Sequence, residues 1–214
     1  MTDSRDAILE RIRATTRGAV AGSGAAEDFA ALARPYARAG RLDTEARLRL
    51  LIDRLHDYDA HVAETSGDSL AGTILTVLRE HGQKKVIAAA GLTAGILPQE
   101  FEFLDEREAA VEDLNDCDGM VTACTVAIAS TGTIALTHGP GEGARRLTLV
   151  PDRHLCVVRA EQVVETVPEA FDRLAKFATR PLTFISGPSA TADIEMTRIR
   201  GVHGPRFLDV VVVR

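Results

Sequence analysis

The chain has 214 residues, enough for one domain with a small extra lobe and for a sizeable buried core. Apolar residues make up 45% and charged residues 26%, and with aromatics at 4% and no Trp, alanine, valine and leucine must build that core. The net charge of −6 excludes a general nucleic-acid binder, which needs a basic face, and no apolar run is long enough to span a bilayer.

At the N-terminus, MTDSRDAILERIR is charged throughout and lacks the apolar segment of a signal peptide. Ile8, Leu9 and Ile12 lie at helical spacing and predict a helix over 3–13. The Gly-, Ala- and Pro-rich stretch that follows has weak periodicity, so residues 1–40 read as an N-terminal helical arm and 41–214 as a single α/β domain. Three cysteines, Cys117, Cys124 and Cys156, form no close pair; reduced thiols and a cytoplasmic location are expected.

Leu48, Leu51, Ile52 and Leu55 predict an amphipathic helix over 44–57, and AHVAET then reads as a short strand. A second helix is expected over 69–81, stopped by Gly82, followed by KKVIAAA as a strand covered on both faces. From Met120 the pattern turns to strand, with Thr131-Gly132-Thr133 as the tight connection of a hairpin inside residues 120–137. After the glycine loop HGPGEGARR, a strand is expected over 154–158. Thr166 and Glu169 then fit a capping box, with Val167, Phe171, Leu174 and Phe177 marking one apolar helix face. Two apolar runs, 183–185 and 207–213, read as buried strands that complete a mostly parallel sheet flanked by helices.

Polar groups crowd between those last two strands. Gly187, Ser189, Thr191 and Asp193 follow a strand end, where small residues expose backbone N–H groups to an anion; the same residues would also serve as a helix cap. Asp193 and Glu195 are candidates for acid–base work, or are simply solvated. His203, between small neighbours, is a candidate proton donor or acceptor, or a loop histidine bonded to a carbonyl. Arg145 and Arg146 could close on an anion or form a solvated pair, and Thr131-Gly132-Thr133 could cradle one or merely turn. His154 reads by itself as structural. No zinc-like spacing joins the three cysteines and six histidines, so neither a metal nor another cofactor is expected.

Taken in order, AIASTGTIAL, RRLTLVPDRHLCVV, ISGPSATADIE and GVHGP before a valine-rich final strand resemble the lactate-utilisation protein C (LUD domain) family over roughly residues 45–214. The resemblance implies the fold shared by glucosamine-6-phosphate deaminase, ribose-5-phosphate isomerase and CoA transferases (NagB/RpiA/CoA transferase-like). It implies a small-anion site at Thr131, Gly132, Thr133, His154, Gly187, Ser189 and Thr191, with Asp193, Glu195 and His203 for chemistry. Family members commonly carry an acidic residue before Thr-Gly-Thr; this chain has Ser130. The implied function is that of a component of an L-lactate to pyruvate oxidation system with iron–sulfur protein partners. A stand-alone isomerase, CoA transferase or 5-formyltetrahydrofolate cyclo-ligase-like enzyme, and a non-catalytic assembly subunit, are the alternatives.

Overall fold

Local signals in the sequence become secondary structure in the computed structural model, which describes residues 4–16, 24–92, 95–191, 199–201 and 204–214. These divide into two compact units, Met1–Tyr36 and Ala37–Arg214. The first contains helices α1 (Ser4–Thr16) and α2 (Ala25–Ala31), with the Arg34 guanidinium 4.4 Å from the Phe29 ring centroid.

Helix α3 (Thr44–Asp57) starts where Asp43 accepts a hydrogen bond from the Ala46 amide and buries Leu48, Leu51 and Leu55. Burying three leucines contributes about 5–9 kcal/mol in transfer free energy. Strand β1 (His61–Thr65) leads into helix α4 (Leu70–Glu80), whose inward residues are Leu70, Ile74, Val77 and Leu78. Next come β2 (Val86–Ala88), β3 (Phe103–Asp105) and a short helix α5 (Val111–Asp116). Strand β3 has no counterpart among the elements read from the sequence.

The expected strand run from Met120 divides in two. Strand β4 (Gly119–Thr122) ends where the Ala123 amide donates to the Gly141 carbonyl, and β5 (Val126–Ile128) belongs to another sheet. The hairpin then closes as expected: β5 pairs antiparallel with β6 (Thr133–Leu136) through a turn with Gly132 at φ +60. Strand β7 (Arg153–Arg159) and the two-residue β8 (Val163–Val164) precede helix α6 (Val167–Leu174), capped by the reciprocal Thr166–Glu169 box. Strands β9 (Thr183–Ile185), β10 (Ala190–Thr191), β11 (Ile199–Arg200) and β12 (Phe207–Val213) end the chain.

Six strands form one all-parallel sheet in the order β1-β12-β7-β4-β2-β3. On one face Cys156, Val158, Val210 and Val212 pack under α3; on the other Leu155, Val157, Val211 and Val213 pack under α4. Both faces are covered, which is why β7 and β12 carry unbroken apolar runs instead of alternating ones. A second, four-stranded sheet has the order β8-β5-β6-β9.

Two expectations need correction. Strand β9 is an outer strand of the small sheet, with Phe184 44% exposed, so it is neither fully buried nor part of the parallel sheet that holds β12. Helix α6 buries Ala170 and Leu174, whereas Phe171 is 53% exposed and stacks on Phe184 with ring centroids 5.8 Å apart. Those two aromatics cover each other at the surface. Among the described residues, no helix is long and apolar enough to cross a membrane.

Candidate functional site

The segment after β9 forms one wall of a cavity of about 260 Å³. Ser186, Gly187, Pro188 and Ser189 run along that wall. Arg145 and Thr148 face them from a 3₁₀ turn (Arg145–Thr148), and His154 and Leu208, the second residues of β7 and β12, also line the space. The cavity therefore opens beside the amino-terminal starts of β7 and β12, at the carboxyl end of β9 only.

Backbone geometry shapes the wall. Gly187 has φ +82, and a Cβ there would stand 2.6 Å from the Tyr58 Cβ, so only glycine permits the approach to the end of α3. The Ser189 amide donates to the Pro205 carbonyl at 2.8 Å, and Ala190–Thr191 pair antiparallel with Ile199–Arg200.

Among the described residues that line the cavity, Arg145 is the cation. One Nη1–H donates to Thr148 Oγ1 at 2.7 Å, and no carboxylate pairs with it among the described residues. A guanidinium has five donors, so most remain for a ligand. Three hydroxyls, those of Thr131, Thr133 and Ser186, form a relay: Thr131 donates to Thr133 at 2.8 Å, and Thr133 and Ser186 bond at 2.8 Å. Thr131 and Thr133 thus reach the cavity only through Ser186. Gly132 has a structural task, because a Cβ there would lie 2.8 Å from the Arg54 Cβ in α3.

His154 is 1% exposed, and its Nε2 bonds Thr122 Oγ1 at 2.7 Å. Burial pushes its pKa down to about 3, since the charged ring would lose its water. It therefore lines the cavity as a neutral imidazole. It can orient a ligand by hydrogen bonding, but so weak a base is poorly matched to abstracting a proton near neutral pH.

The neighbouring arginines diverge. Arg146 lines a second cavity of about 350 Å³ with Glu106, Arg107 and His138, beyond the carboxyl ends of β2 and β3. A 3₁₀ turn rotates each residue by a third of a revolution, so consecutive side chains cannot point the same way. The structure brings Arg145, His154, Gly187 and Ser189 to one cavity and leaves Arg146 outside it. Thr191 is described only by its backbone, and Asp193, Glu195 and His203 lie outside the described residues.

Sequence reasoning missed the groups that hold the arginine loop. Buried Glu142 accepts hydrogen bonds from the Thr137 amide at 2.6 Å and from the hydroxyls of Thr125 and Thr137. Buried Glu106 accepts from the amides of Ala90 and Ala144 at 3.0 and 2.5 Å. His138 Nδ1–H donates to the Gly143 carbonyl at 2.7 Å, and its Nε2 bonds Thr183 Oγ1 at 2.7 Å, at the rim of the first cavity. A lone glutamate inside the glycine loop HGPGEG was the available signal, since a carboxylate there can gather loop amides.

Comparison with known proteins gives a consistent picture. A family model described as the LUD domain matches residues 31–213. A "Lactate utilization protein C" of Deinococcus radiodurans is 42% identical over 182 residues, covering 84% of this chain and 85% of that protein. Another, of Halalkalibacterium halodurans, is 31% identical over 78% of each chain. A crystal structure of a DUF162 family protein from Deinococcus radiodurans superposes with a TM-score of 0.71 at 37% identity, covering 81% of this chain and all of that one.

Proposed function

The chain belongs to the LUD domain family, and from that membership we propose that it serves lactate utilisation by binding a small carboxylate in the cavity beside Arg145. The observation that carries this reading is the Arg145 guanidinium, which no carboxylate pairs among the described residues, facing Ser186, Ser189 and neutral His154 across a cavity of about 260 Å³. The relatives' name, lactate utilization, supports lactate as the ligand, and on this reading the small carboxylate is L-lactate or its oxidation product pyruvate. Arg145 takes the carboxylate by charge-assisted hydrogen bonds, and the serine hydroxyls with His154 orient the hydroxyl or keto oxygen.

Oxidation of lactate removes two electrons and two protons, and the parts this chain contributes are binding and proton handling. His154, with its lowered pKa, positions the ligand; the proton acceptor is assigned to Asp193, Glu195 or His203, which adjoin the cavity wall in sequence. On this reading electrons pass to iron–sulfur partner proteins, since the three buried cysteines of this chain are fewer than the four thiolates of a cluster. On this reading residues 41–214 are the LUD-type domain and 1–40 an arm available to partners.

Calorimetric titration of the purified chain with L-lactate and with pyruvate tests the site. The reading expects saturable binding that Arg145→Ala weakens by at least about tenfold, the effect of losing roughly 1.4 kcal/mol, while Arg146→Ala leaves it within about twofold. Equal losses in both variants would reject the assignment to this cavity.

A further inference from the structure

On the sheet face opposite the cavity, three side chains from distant parts of the sequence converge. Leu208 lines the cavity, and side chains alternate along a strand, so Asp209 points to the face covered by α4. There the Asp209 carboxylate is buried in the middle of a valine-rich strand, 1% exposed. His81, at the carboxyl end of α4, places Nε2 3.1 Å from Asp209 Oδ1. His61, the first residue of β1, places Nδ1 3.4 Å from the same oxygen. The three ligand atoms all lie within 4.8 Å of one another, and the imidazoles meet edge to face with centroids 5.4 Å apart.

We propose that His61, His81 and Asp209 form a binding site for a first-row divalent cation, zinc foremost. Metal–ligand bonds of about 2.0–2.1 Å at tetrahedral to octahedral angles require ligand atoms roughly 2.8–3.4 Å apart. The two N···O distances, 3.1 and 3.4 Å, fall in that range, and the two nitrogens lie within 4.8 Å of each other. Two imidazoles and one carboxylate are a donor set that first-row metals favour, leaving coordination positions for water or a ligand. The imidazole side chains are 43% and 26% exposed, so those positions have access to solvent.

Two features of the surroundings support the site. Arg153 donates to both Asp209 oxygens, at 3.1 and 3.0 Å, and can remain on Oδ2 while Oδ1 binds the metal, as outer-shell partners of ligating carboxylates do. The carboxyl end of α4 presents the negative end of its helix dipole beside His81, which favours a cation. No ligand spacing motif marks these residues in the sequence, because three separate elements supply them. The plainer reading is an ion-pair cluster in which the histidines merely accompany Arg153 on a buried carboxylate. It predicts no metal affinity.

Cobalt(II) titration of the untagged, chelator-treated full chain separates the two. The proposal expects visible d–d bands that saturate at one ion per chain and disappear when zinc is added, because zinc binds such sites more tightly. His61→Ala and His81→Ala should each weaken cobalt binding by more than about tenfold, at least the loss typical of removing an outer-shell partner. His56→Ala, an exposed histidine in α3, should leave it unchanged. Circular dichroism of the variants shows that the fold is retained, which the partial exposure of both histidines favours; Asp209 is left intact because it is buried. Absence of the bands in wild type, or undiminished binding in His61→Ala and His81→Ala, would overturn the proposal.

Discussion

Replacing His154 with glutamine should remove part of the protein's acid sensitivity. In the folded chain His154 is buried, its Nε2 bonds Thr122, and its pKa is pushed from 6.5 to about 3 by the loss of water around the charged form. In the unfolded chain the ring regains its ordinary value of about 6.5. Between those values the unfolded state binds the extra proton, so stability is fully present above about pH 6.5 and falls as the pH drops towards 3. Integrated from pH 7 to pH 5, this single group removes about 2 kcal/mol. Glutamine cannot titrate and can still bond the Thr122 hydroxyl, so the variant keeps the other pH-dependent groups and loses this one. Urea unfolding of both proteins at pH 7 and pH 5 gives four free energies. Wild type should lose about 2 kcal/mol more than His154→Gln over that interval. Equal losses would mean that His154 charges freely in the folded state, and the neutral orienting role given to it would be wrong.

Other expectations follow from close packing and loop anchoring. Gly187→Ala should destabilise by about 2–4 kcal/mol, through a left-handed φ and a clash with Tyr58, seen as a lower thermal midpoint. Glu142→Ala removes the acceptor shared by the Thr137 amide and two threonine hydroxyls; a loss of about 2–4 kcal/mol, with faster amide exchange at Thr137, is expected. Thr166→Ala should cost about 1 kcal/mol through its cap without altering ligand affinity, which chemical denaturation and calorimetry check side by side.

Much of the fold could be read from local signals. Helix α3, the Thr166 capping box and the hairpin around Gly132 each depend on neighbours within a few residues. What escaped depended on partners far along the chain. The switch between sheets after Thr122 is fixed by Gly141 and Ala135, and the exposure of Phe171 by its stacking on Phe184. The site divides in the same way. Ser189 and Arg145 were legible as polar groups beside glycines, and the tertiary fold brings them to one cavity. The separation of Arg146 from Arg145 required the 3₁₀ turn, and the meeting of His61, His81 and Asp209 required the parallel sheet.

The most direct test of the small-carboxylate site is a crystal structure of the protein grown with L-lactate or pyruvate. The carboxylate should lie against the Arg145 guanidinium, with its neighbouring oxygen towards Ser186, Ser189 and His154. Ligand density beside Arg146 and His138 instead, or an empty cavity at saturating ligand, would contradict the account.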